Sequence, residues 1–282
     1  MKKDLLIKYI TNLIREYDTQ FRLTLKGAGV EPVHELRVRI KRLNALFVFL
    51  DEARIIKRSS ITIFHHLNIF FKSAGNLRDI QVLRALVENY RNQVTEDNTE
   101  YETYLINKES TASFGFLKKS AEYPREEEIQ VKREIIESVK KVKDDKLSQK
   151  SLAFITKRLN RIEKYLLLDD TARYLHKIRQ TLKQLRFFIE IYQSSSQISI
   201  IEESDYNEIK EIENIIGGWN DRAILMEDIK RYRSYKQKLD SGTSDHALKS
   251  LMKLVRKDMK EMVTDVKPRL LKFIYHLKYS ML

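Results

Sequence analysis

Histidine, arginine and lysine recur at one spacing in two places in the chain: His34, Arg37 and Lys41 within VHELRVRIKRLNALFVFL (33–50), and His176, Arg179 and Lys183 within LHKIRQTLKQLRFFIEIY (175–192). Together these side chains suit phosphate. Arginine offers a planar fork to two phosphate oxygens, lysine a mobile ammonium, and a histidine titrating near neutrality donates once an anion is close. Catalysis is poorly supplied. The shared stripe has no carboxylate for acid/base work, and no serine or threonine recurs beside the two histidines for nucleophilic attack. Glu31-Pro-Val-His34 has the Glu-x-x-His spacing of ferritin-like metal sites, but the second copy has Arg173 where the glutamate belongs. His65, His66, His246 and His276 have no repeated partners, and no GxxxxGK[ST] or GxGxxG loop is present. The sequence therefore predicts no enzyme, no bound metal and no cofactor.

Helices must carry these residues. At about 100° per residue, His34, Arg37, Lys41 and Asn44 share one side, while Leu36, Ile40, Leu43 and Phe47 form an apolar stripe about 110° further round. In the second copy His176, Arg179, Lys183 and Arg186 stand beside Ile178, Leu182, Leu185 and Ile189. Differences fall off the shared face: Arg39 is answered by Thr181 and Arg42 by Gln184. The same shift of 142 positions, from 34 to 176, places Lys8, Arg15 and Arg22 on Lys150, Lys157 and Lys164. That second stripe reads as a further anion contact or as ordinary solvated helix surface. The shift also matches SAGNLRDIQVLRAL (73–86) with IIGGWNDRAILMEDI (215–229), pairing Gly75 with Gly217, Asp79 with Asp221 and Leu83 with Leu225. One shift aligning three segments marks an internal duplication, with residues 1–142 and 143–282 as the halves of one domain. Asp79 and Asp221 suit the third position of a helix capped at Asn76 or Gly218, or a role holding a motif arginine.

With 42% apolar residues, 33% charged residues, 7 glycines and 3 prolines, the composition fits an all-α fold with a substantial core. A net charge of +13 makes a polyanion the first partner to consider. No cysteine is present, and the opening MKKDLLIKYITNLIREY is too charged for a signal peptide. No apolar run approaches membrane-spanning length, so a soluble, cytoplasmic protein is expected. In chain order, a helix over 4–25 ends at Gly27 and Gly29, and Pro32 suits the first turn of the motif helix. Asp169, Asp170 and Thr171 are candidate caps for its counterpart. Loops are expected at 58–60 and 194–196, with a short extended stretch at 198–201. Further helices are expected over 97–121 and 125–143 and over 244–263 and 267–281, Pro124 and Pro268 opening the last of each half. The Lys/Glu-rich joint over 118–150 lacks a Gly/Ser linker, so the halves should pack rather than swing.

The pattern H-x-x-R-x-x-x-K on a basic helix, followed by Arg78-Asp79 or Asn220-Asp221 and duplicated as a whole, resembles the CHAD family, the conserved histidine α-helical domain. The resemblance covers nearly the whole chain. It implies two helical bundles related by a pseudo-twofold, a basic central groove or cavity, and binding of inorganic polyphosphate without known catalysis. It marks His34, Arg37, Lys41, His176, Arg179, Lys183 and Arg186 as phosphate contacts and Lys8, Arg15, Lys150 and Lys157 as neighbours. It also makes polyphosphate granules a place to look for the protein. Asn44, opposite Arg186, and Gln184 depart from the family's basic pattern, so the halves are expected to contribute unequally. CHAD domains also occur fused to triphosphate-hydrolysing tunnel domains, for which this chain has no residues left. The rival readings are a nucleic-acid-binding protein, disfavoured because no aromatics interleave the basic faces, and a metal-dependent phosphohydrolase, disfavoured for want of repeated carboxylates.

Overall fold

The computed structural model describes the chain apart from residues 57–62, 95–97, 124–125, 169–170, 197, 240–245 and 281–282, and apart from the side chains of 63–68, 126–131, 171–172, 239 and 280. The described residues form nine α-helices, a short 3-10 turn and no strand. The helices are α1 (Lys3–Leu25), α2 (Val30–Glu52), α3 (Ile63–Tyr90), α4 (Thr99–Ala121), α5 (Glu126–Lys140), α6 (Asp144–Leu166), α7 (Thr171–Ser196), α8 (Glu203–Leu239) and α9 (His246–Ser280). No described helix is long and apolar enough to cross a membrane.

Apolar periodicity decides which faces turn inward. α1 buries Leu6, Ile10, Leu13, Tyr17 and Phe21, and α6 buries Leu147, Phe154, Ile155, Leu159, Ile162 and Leu166. Asp4, and Asp144 with Asp145, place negative charge in their first turns, where the helix dipole favours it. α2 starts behind Gly29, and its first backbone bond runs from Val33 N–H to the Gly29 carbonyl at 3.2 Å. Pro32 therefore sits where no N–H is required. The apolar stripes of the motif helices, Leu36, Ile40, Leu43 and Phe47 on α2 and Ile178, Leu182, Leu185 and Ile189 on α7, are all buried as their spacing predicts.

α1 packs on α2 and α3 on α4, and α6 packs on α7 and α8 on α9. The halves meet through α1 and α2 against α7 and through α3 against α8. One apolar cluster draws on both, and at its seam Phe49 of α2 lies 4.5 Å from Phe188 and 5.5 Å from Phe154, ring centre to ring centre. A second cluster joins Leu83, Tyr101 and Leu105 to Leu225, Ile229 and Val255. The halves thus pack on one another.

Four local expectations are corrected. Pro268 does not open a helix but lies inside α9, which is continuous. Its buried Leu251 and Val255 join the second cluster and its Val266, Leu270 and Phe273 the first, so α9 fills both clusters that the first half fills with α4 and α5. Asn76 and Gly218 are not caps, because α3 and α8 run straight through them. Ser194, Ser195 and Ser196 finish α7 instead of forming a loop, and the Ser196 hydroxyl donates to the Tyr192 carbonyl one turn back at 2.7 Å. Residues 198–201 form an irregular, bent stretch without strand. The break at 58–60, Pro124, and the candidate caps Asp169 and Asp170 lie outside the described residues.

Candidate functional site

The motif arginines are positioned by the neighbouring long helices. Arg37 reaches from α2 to α3, where its Nη1 donates to the Phe71 carbonyl at 3.2 Å and its guanidinium carbon lies 4.7 Å from the centre of the Phe71 ring. The approach is so close that a Cβ on Gly75 would fall 2.6 Å from Nη1. Arg179 approaches α8 in the same way but less tightly, its Nε and Nη2 3.8 Å from a Cβ placed on Gly217. The repeated glycine is therefore a notch in the middle of a helix that admits an arginine.

This packing brings the cations of both halves within reach of one another's fields. The Lys41 ammonium is pushed down to about 6, first by burial and then by Lys183, Arg37 and Arg179, with Glu213 in weaker opposition. Lys183 is lowered by burial and then by Arg179, against the attraction of Glu213. Arg37 is lowered by burial, with Arg78 and Arg179 repelling it and Asp79 and Asp221 attracting it. Asp79 gives the strongest of the charge effects on Arg37, so its charge supports that arginine and it caps nothing. The Arg179 Nε is buried without a hydrogen-bond partner, as is the Asn44 Oδ1. Arg37, Lys41, Arg179 and Lys183 are thus four half-buried basic groups, two from each motif helix, each of which disfavours the charge of its neighbours.

A family model described as the CHAD domain matches residues 8–230. The chain belongs to the CHAD domain family. The crystal structure of the CHAD domain from the plant Ricinus communis is similar in fold, with a TM-score of 0.68 at 13% identity over 98% of this chain and 91% of that one. No curated protein matches the chain.

Around the four central cations of this CHAD chain, the other expected site residues are arranged unequally. His176 holds its Nδ1 3.2 Å from the Asn220 Oδ1 and its Nε2 2.9 Å from the Gln180 amide nitrogen. His34 has Arg78 where His176 has Asn220, and burial followed by Arg78 lowers its pKa below the ordinary histidine value. Arg186 is occupied: its Nε donates to Glu213 at 2.6 Å and its Nη1 to Glu190 at 2.7 Å. Although burial opposes it, Glu213 and Glu190 hold Arg186 firmly charged.

The second basic stripe is dispersed. Lys150 donates to the Ala53 carbonyl just beyond α2, and Lys157 lies 3.1 Å from Glu52, which also takes both arms of the buried Arg158 at 2.7 Å each. Arg15 is exposed and donates to Asn12 at 3.4 Å. Lys8 lines a separate cavity of about 630 Å³ with Arg42 and Glu190. None of these four is among the charges that shift Arg37, Lys41 or Lys183 most. The unshared arginines are paired elsewhere, Arg39 with Glu16 and Glu35 at 3.1 Å each and Arg42 with Glu190 at 3.0 Å. Two residues that bear on the site, Arg78 and Glu213, lie outside the repeat pattern, because their counterparts are Asn220 and Phe71. Among the described residues no three His, Asp or Glu side chains gather closely enough to hold a metal ion.

Proposed function

We propose that this CHAD domain binds inorganic polyphosphate without hydrolysing it, with Arg37, Lys41, Arg179 and Lys183 as the central contacts and His34, His176 and Arg186 beside them. The observation that carries the reading is the convergence of four half-buried basic side chains, two from each half, that lower one another's affinity for protons. Holding such groups together without an anion is unfavourable, since each is partly desolvated and each raises the potential at the others. A chain of phosphates relieves both effects: it supplies a negative charge every few ångströms and acceptors for the guanidinium and ammonium donors. The location that follows is the cytoplasm, at polyphosphate granules where these are present. A competition titration at physiological salt tests the reading. Labelled polyphosphate should be displaced by unlabelled polyphosphate and scarcely by single- or double-stranded nucleic acid. Displacement by nucleic acid at equal phosphate concentration would replace it with a nucleic-acid-binding function.

A further inference from the structure

The two halves of the cation cluster differ in one carboxylate. Glu213 on α8, with a side chain only 10% exposed, lies 3.5 Å from the Lys183 ammonium and receives Arg186 at 2.6 and 3.4 Å. Arg186 cannot swing freely away, because Glu190 takes its other arm at 2.7 Å, and Glu190 is itself held by Tyr206 at 2.5 Å and flanked by Arg42 at 3.0 Å. At the matching positions of the first half stand Phe71 and Asn44, neither of which carries charge. Phe71 instead gives its ring and carbonyl to Arg37. Asp79 and Asp221 recur in both halves and both attract Arg37, but neither forms an ion pair with the cluster among the described residues.

We infer that Glu213 is an internal counter-anion that competes with phosphate for Lys183 and Arg186, so that an anion in the site is gripped chiefly by Arg37 and Lys41 of the first half. The inference rests on the phosphate-binding reading above. A phosphoryl oxygen that approached Lys183 would come close to the Glu213 carboxylate, and in partly dry surroundings that like-charge repulsion is several times stronger than in water. On the first-half side, among the described residues, no carboxylate is ion-paired to Arg37 or Lys41, and Asp79 and Asp221 attract Arg37 only at longer range. The site is therefore polarised: Arg37 and Lys41, the latter regaining its proton as the anion arrives, meet the phosphate without a competing ion pair among the described residues, whereas Lys183 and Arg186 are tempered by Glu213.

Titrating tripolyphosphate into the full chain and its variants tests this. Glu213→Gln keeps the shape and removes the charge, and should tighten binding about tenfold, the order expected when one like-charge contact is relieved in partly dry surroundings. Lys41→Met should weaken binding at least several-fold more than Lys183→Met, and in the Glu213→Gln background the two losses should converge. A merely structural role for Glu213 would shift the melting temperature without moving that ratio. Wild-type binding that Glu213→Gln leaves unchanged or weakens would overturn the inference while leaving the phosphate reading intact. Wild-type chain that takes up no tripolyphosphate would remove both. If circular dichroism shows that Glu213→Gln does not fold, the single lysine variants decide, and equal losses from Lys41→Met and Lys183→Met would overturn the inference.

Discussion

The Arg37 guanidinium occupies the space that a side chain at position 75 would need: a Cβ on Gly75 would lie 2.6 Å from Nη1, whereas Gly217 leaves 3.8 Å to Arg179. The same substitution should therefore have opposite consequences in the two halves. Gly75→Ala should push Arg37 off the Phe71 carbonyl and weaken polyphosphate binding, because the displaced atom is the far end of a flexible side chain and the fold can yield. Gly217→Ala should leave binding intact and raise stability by roughly 0.5–1 kcal/mol, the usual gain for alanine over glycine inside a helix. Titration and thermal melting of both variants check this, and equal effects on binding would contradict it.

Removing both central arginines should do far more than removing a neighbour of equal charge. Charge-assisted hydrogen bonds contribute about 1.5–3 kcal/mol each, so Arg37→Ala with Arg179→Ala should weaken binding by roughly 3–6 kcal/mol if the two add. Arg39 is held by Glu16 and Glu35, so Arg39→Ala should change affinity little at physiological salt. An Arg39→Ala loss as large as that of Arg37→Ala would mean that general basicity binds the anion.

Binding should take up protons. Lys41 is pushed down to about 6 by burial and its cationic neighbours, whereas in the unfolded chain a lysine titrates near 10.4. Between those values the unfolded chain holds the extra proton, so the free protein should gain stability as pH rises from about 6 towards 10 and lose it as pH falls. An anion favours the protonated lysine, so affinity should decline from pH 7 to 9, with Lys183, also lowered, acting in the same direction. Calorimetry in buffers of different ionisation enthalpy should show proton uptake that shrinks in Lys41→Met. Proton release would contradict the assignment.

Much of this was legible in the residues themselves. Helical spacing placed the apolar stripes of α2 and α7 inward, and the constant shift picked out the arginines and lysines that the fold brings near one another. Gly75 and Asp79 were visible as a repeated landmark, but their role was not, because a glycine before an aspartate also looks like a helix start. Only the three-dimensional approach of Arg37 shows that the missing side chain is what matters. Repetition also hid residues: Arg78 and Glu213 act on the site from one half only, so a search for matched pairs passes over them. The second stripe shows the converse, since Lys150 and Lys157 repeat Lys8 and Arg15 in sequence yet reach the end of α2.

No orthophosphate should be released when the protein is incubated with polyphosphate and Mg²⁺ or Mn²⁺. The central residues offer basic groups to hold phosphate oxygens, and among the described residues no three His, Asp or Glu side chains gather closely enough to hold the metal of a metal-bound water. Sustained release that His34→Ala abolishes would establish an enzyme.

Whether the two motif helices serve one anion is decided by titrating pyrophosphate and long polyphosphate across a salt series. If Arg37 and Lys41 share a path with Arg179 and Lys183, a long chain engages both pairs, and the second engagement is intramolecular and gains from effective concentration. Affinity should then rise steeply with chain length, and log affinity should fall linearly with log salt, by roughly 0.7 per phosphate held if polyphosphate behaves like a single-stranded nucleic acid. Arg37→Ala or Arg179→Ala alone should flatten the slope for the long chain. Equal affinities and equal slopes for pyrophosphate and long polyphosphate would contradict a shared site and leave each half a separate small-anion pocket.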